Sequence, residues 1–140
     1  MMRANSTFEI KSWDEKPYDE FEGRKLTRAR VGRIFHGDLE GESITEYLMA
    51  YAPDGSASFV ALQRIVGRLG DRSGSFVLQH TGAFQGGIAT EICSVVPGSS
   101  TGALVGIKGE AKFSSGHAQQ FAVALDYEIE SAQPETREDM

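Results

Sequence analysis

Polar and apolar positions alternate almost from the first residues to the last. In Ser6–Trp13, Phe8, Ile10 and Ser12 alternate with Thr7, Glu9 and Lys11, which predicts a half-buried first strand. Asp14–Gly23 is polar, contains Pro17 and reads as a connection. Strands are expected over Leu26–Leu39 and, after the turn segment HGDLEGES, over Ser43–Tyr51, where Pro53-Asp54-Gly55 forces a reversal. Four more follow: Ser56–Leu69, Ser73–Phe84, Ile88–Val96 and Leu104–Phe113. Their reversals are Gly70-Asp71-Arg72, Gln85-Gly86-Gly87 and Pro97-Gly98-Ser99-Ser100. Ser114-Ser115-Gly116-His117 leads into the last strand, Gln119–Ile129. No helical period interrupts the series.

About eight strands joined by short reversals predict an all-β fold, an eight-stranded antiparallel up-and-down barrel. A two-sheet sandwich has the same periodicity, but near-continuous hairpins favour closure, which removes exposed sheet edges. Residues 6–130 form the expected single domain and 131–140 a polar, flexible tail. In the last strand Phe121, Val123, Leu125, Tyr127 and Ile129 share one face. Ser56–Leu69 is apolar on both: Phe59, Ala61, Ile65 and Leu69 on one, Val60, Leu62 and Val66 on the other. One face fills the barrel and the other meets a partner, so a homo-oligomer is expected, with the inward phase left open.

Composition narrows the partners. The chain has 140 residues and a formal charge of −6, from 20 acidic and 14 basic residues, so nucleic acid and anionic membrane surfaces are not expected partners. In the basic cluster of Arg24, Lys25, Arg28, Arg30 and Arg33, strand geometry places Arg28 and Arg30 on one face and Arg33 on the other. Cys93, the only cysteine, excludes an intrachain disulfide, and its neighbours Ile92 and Val95 suggest a buried, inert thiol. The first residues lack a signal-peptide pattern, so a cytoplasmic location is expected.

Polar residues within apolar strands are the candidates for chemistry. Glu46 lies between Ile44 and Leu48 in phase, and His80 shares its phase with Phe76, Leu78 and Phe84. A carboxylate in an apolar cavity or a histidine near neutrality suits acid–base work, which makes Glu46 and His80 the catalytic candidates. Tyr47, Gln63, Arg64 and Gln79 are candidate ligand contacts. Trp13 reads as a cap across one barrel end, with Asp14 and Glu15 following in a loop where substrate enters. For each, the plainer reading is a solvated or internally hydrogen-bonded side chain. His36 and Asp38 flank a turn, His80 and His117 are far apart, and no HExxH or CxxC joins them, so no metal is expected. The glycine-rich segments lack phosphate-loop and dinucleotide patterns, so no cofactor is expected either.

KLTRA at Lys25–Ala29, GDLEGES at Gly37–Ser43, EYLMAY at Glu46–Tyr51, GSFVLQH at Gly74–His80 and VVPGSSTG at Val95–Gly102 together resemble a bacterial family of uncharacterised proteins. That family is similar in fold to plant allene oxide cyclase, an eight-stranded, lipocalin-like barrel. The resemblance runs from about Phe8 to Ile129 and implies a barrel with an interior cavity. The plant enzyme cyclises a fatty-acid epoxide using a glutamate and a bound water, a role that the resemblance offers to Glu46 or Glu15 by analogy. Its activity does not carry over on fold alone. Three functions follow as expectations. The first is a barrel binding a small apolar or amphipathic metabolite. The others are a cofactor-free cyclase or isomerase using Glu46 or His80, and a noncatalytic self-associating interaction domain.

Overall fold

The computed structural model describes residues 1–115 and 120–130. Nine strands run β1 (Met2–Phe21), β2 (Arg24–Gly37), β3 (Leu39–Tyr51), β4 (Ala57–Leu69), β5 (Arg72–Gln85), β6 (Ile88–Val95), β7 (Thr101–Gly102), β8 (Ile107–Ser115) and β9 (Gln120–Ile129). Every ladder is antiparallel. Each long strand pairs with the next in the chain, β6 pairs with β8, and β1 with β9 closes the eight-stranded barrel. The two-residue β7 lies against β5. The expected all-β, up-and-down barrel is therefore observed. His117 and the tail 131–140 lie outside the described residues.

One expected connection proves to be strand. Asp14–Gly23 continues β1 to Phe21, leaving Glu22-Gly23 as the reversal. Register shifts between Ile10 and Ser12 and between Pro17 and Asp19 take up the irregularity, because a bulge lets one strand carry a residue without a ladder partner. Among the described residues, this strand past Glu9 pairs with β2 alone, an edge position at which proline and dense charge are tolerated. Similarly, β3 starts at Leu39, within the segment expected to turn.

Inward positions separate into two apolar clusters. At one end Phe8 packs against Phe35, Phe113 and Phe121, with ring centroids 5.2–5.5 Å apart. Ile65, Leu69, Phe76, Leu125 and Tyr127 complete this packed end, and Leu104, from the turn between β7 and β8, joins it. Gly41 and Gly67 face each other across β3 and β4, where a Cβ on Gly67 would lie 2.0 Å from the Glu40 carbonyl oxygen. That contact excludes any side chain and lets the two backbones close together. The other cluster holds Ala29, Val31, Tyr47, Met49, Ala57, Phe59 and Ala61. Its three alanines leave space beside the aromatic rings.

Candidate functional site

Between the clusters lies a layer of buried polar side chains: Arg33, Ser43, Thr45, Gln63, His80 and Glu91. Strand register assembles it. His80 on β5 is opposite Ala61 on β4 and Cys93 on β6, and Glu91 shares the inward phase of Cys93 two residues away. Burying so many polar groups is tolerable only if they satisfy one another. Arg33 donates from Nη1 to Thr45 Oγ1 at 2.8 Å and from Nη2 to Tyr47 Oη at 2.7 Å. The Tyr47 hydroxyl in turn donates to the Glu91 carboxylate, 3.2 and 3.3 Å from its two oxygens. His80 meets Glu91 Oε1 through Nδ1 at 2.7 Å and Gln63 Oε1 through Nε2 at 2.8 Å. The Gln63 amide nitrogen donates to Ser43 Oγ at 2.8 Å.

Burial, reinforced by Glu91 and opposed by Arg33, pushes the Tyr47 phenol far above its ordinary range, which keeps it a proton donor. Burial and the same carboxylate push the Cys93 thiol up to about 12. The sequence expectation of a buried thiol is met. Among the described residues one buried side-chain nitrogen or oxygen has no partner, Arg33 Nε.

Above this layer is a pocket of about 160 Å³, lined by Trp13, Met49, Phe59 and Phe84 on its apolar side and by Arg33, Tyr47 and Glu91 on its polar side. Trp13 stacks on Tyr47 with ring centroids 6.2 Å apart, and Tyr47 meets Phe59 edge to face. Gly82 gives Phe59 its place, since a Cβ there would lie 2.7 Å from the ring. At the rim, Glu15 accepts hydrogen bonds from Trp13 Nε1 (3.0 Å), Thr27 Oγ1 (2.7 Å) and Tyr51 Oη (2.6 Å). Burial alone would raise the Glu15 pKa, but these three donors and nearby Lys25 outweigh it and hold the carboxyl below its ordinary value.

The sequence candidates divide by strand phase. His80, Gln63 and Tyr47 point inward and belong to the polar layer, while Trp13 and Glu15 form the rim. Glu46, Arg64 and Gln79 do not join them. The Glu46 side chain is 39% exposed on the outer face, paired with Arg30 at 2.6 Å and Arg28 at 3.6 Å. Glu46 shares no cavity with His80, because its neighbour Tyr47 takes the inward phase. Arg64 and Gln79 are also exposed on the outside. Arg33, Thr45 and Glu91 were missed as site residues. The Gly86-Gly87 turn fixes Phe84 opposite Ala89, so counting back places Cys93 beside His80 and Glu91 within its reach.

A family model described as "Protein of unknown function (DUF3224)" matches residues 4–127. A solved structure of a DUF3224 protein of unknown function from Shewanella oneidensis MR-1 is 31% identical, with a TM-score of 0.76. The match covers 94% of this chain and 99% of that one. No curated protein matches the chain.

Proposed function

The chain belongs to the DUF3224 family, and from that premise and the pocket's geometry we propose that it is a barrel binding a small amphipathic metabolite. The observation that carries the reading is the aromatic pocket over Arg33, Tyr47 and Glu91, with Arg33 Nε unpartnered. An unmet buried donor costs about 1–3 kcal/mol, which a ligand oxygen placed on it would recover. Size narrows the class: a cavity of about 150 Å³ admits a single benzene ring. The pocket therefore suits one aromatic ring or a short chain with an acceptor at its head. An allene oxide cyclase-like scaffold, if shared, would here be fitted to a much smaller guest than a fatty-acid epoxide.

The test is native mass spectrometry of protein purified from its own cells, followed by denaturing extraction. A stoichiometric small molecule carrying a carboxylate or other acceptor supports the proposal. Protein that carries nothing and binds no member of a panel of single-ring and short-chain acids overturns it. A cyclase or isomerase built on this pocket would use Glu91, backed by His80, rather than Glu46. Among the described residues no helix is long and apolar enough to cross a membrane, and a cytoplasmic location remains part of the proposal.

Self-association rests on a different surface. Leu48, Val60, Leu62 and Ile92 point outward from β3, β4 and β6 and are each about half exposed. Arg28, Arg30, Glu46 and Arg64 add both signs of charge to the same side of the sheet, which suits contact with a second copy across a two-fold axis. Sedimentation of the wild type against Leu62→Lys checks it. Loss of a dimer in the variant is expected, and a monomeric wild type refutes it.

A further inference from the structure

Three different donor atoms converge behind the pocket. His80 Nδ1, Glu91 Oε1 and Cys93 Sγ all lie within 4.8 Å of one another. Nδ1 stands 2.7 Å from the carboxylate oxygen and 3.2 Å from the sulfur. On its other side the ring meets the Gln63 carbonyl oxygen, whose amide nitrogen is committed to Ser43. With the amide in this orientation, Nε2 must carry a proton to donate. A neutral His80 then turns the lone pair of Nδ1 toward Glu91 and Cys93. Nitrogen and carboxylate lone pairs at 2.7 Å repel unless a positive charge lies between them, and that charge is either a proton or a metal ion.

We infer that His80, Glu91 and Cys93 form a site for a zinc-type divalent cation, with its open coordination position toward the pocket. The donor set of one imidazole, one carboxylate and one thiolate is borderline-soft, which favours Zn²⁺ or Co²⁺ over Mg²⁺ and Ca²⁺. One dication with one thiolate and one carboxylate is neutral overall, which moderates the cost of burying charge. Binding replaces the thiol proton on Cys93, which leaves to solvent. Gln63 then acts as the outer partner that metal-bound histidines commonly have, holding Nε2–H and fixing the ring. Tetrahedral bond lengths of about 2.0–2.3 Å require the nitrogen and carboxylate oxygen to separate by roughly half an ångström. Glu91 lines the pocket, so its side chain has room on that side. The site departs from the sequence expectation of no metal, which rested on linear motifs. Its ligands come from two paired strands.

Chelator-treated protein titrated with Co²⁺ tests the inference by absorption, with metal stoichiometry from native mass spectrometry. The expected result is one Co²⁺ per chain, with a thiolate-to-cobalt charge-transfer band and intense tetrahedral visible bands. The charge-transfer band should vanish in Cys93→Ser, and Glu91→Gln should weaken binding. Gln63→Leu should lower affinity by about 10–100-fold while keeping the band. Folding of each variant is checked by far-UV circular dichroism. A folded wild type without the band overturns the inference, as does binding unaffected by Glu91→Gln. Ligand binding in the pocket is read separately, so either proposal can fail alone.

Discussion

The two ends of this barrel are built from the same strands and differ in what their inward residues fill. At the packed end Phe8, Phe35, Phe113 and Phe121 interlock, and Phe76 and Leu104 are fully buried among their neighbours. At the other end Ala29, Ala57, Ala61 and Ala89 occupy corresponding inward positions, leaving about 160 Å³ between aromatic walls. An eight-stranded barrel is narrow enough to be closed by its own side chains, so residue size at each level decides between core and cavity. Here the aromatic packing is concentrated at one end and the open space at the other, with the polar layer between them.

Truncation at each end should break the comparison most directly if it is wrong. Phe76→Ala is expected to cost about 3–5 kcal/mol in urea unfolding, because the cavity cannot collapse. Phe84→Ala, on the half-buried pocket wall, should cost less than half of that. Equal losses would mean that the pocket end is as tightly packed as the other.

Next comes the layer between. His80→Leu leaves the Glu91 carboxylate buried beside its phenol donor alone, and a loss of about 3 kcal/mol is expected. Replacing both, as His80→Leu with Glu91→Leu, should recover part of it, since an apolar pair leaves no uncompensated charge. A double variant less stable than the single one would show that the layer is held by other members.

Smaller effects sharpen the picture of the pocket. Ala89→Phe should fill it and weaken binding of a ligand found by extraction at least tenfold, or about 1.4 kcal/mol, with unfolding stability nearly unchanged. At the rim, Tyr51→Phe removes one donor to Glu15 and should cost about 1 kcal/mol. Because the folded Glu15 pKa lies below its ordinary value of 4.5, the stability it contributes is present above that value. It is lost as pH falls through the lower folded pKa. Glu15→Gln should therefore flatten this part of the acid-unfolding profile; an unchanged profile would remove Glu15 from the account.

Much of this architecture was legible because turns are local. Pro53-Asp54-Gly55, Gly70-Asp71 and Gly86-Gly87 mark real reversals, and Phe121, Val123 and Leu125 share one face of β9, which the structure turns inward. Phase failed where both faces are apolar. In β6 the outward Ile88 and Ile92 are more hydrophobic than the inward Ala89 and Glu91, so patterning alone hides the residue at the centre of the site. In β3 the opposite phase of Glu46 puts it outside, although its apolar neighbours suggested a cavity. Pro17 disguised the second half of β1, because the bulges that accommodate it are set by pairing with β2. Hairpin register carries the missing information, since strand order and turn position together bring His80, Glu91 and Cys93 together.

The β1–β9 ladder has a consequence for the order of assembly. All other barrel ladders join neighbours in the chain, apart from β6 and β8 across the short β7. The pocket residues come from β1 to β6, whereas β8 and β9 bring Ile107, Ala111, Phe121 and Leu125 to the packed end. A chain leaving the ribosome therefore exposes every wall of its pocket while one flank of β1 is still unpaired. That sheet stays open until β8 and β9 arrive, so closure of the barrel is the pairing that spans the greatest sequence distance and raises the contact order of the fold.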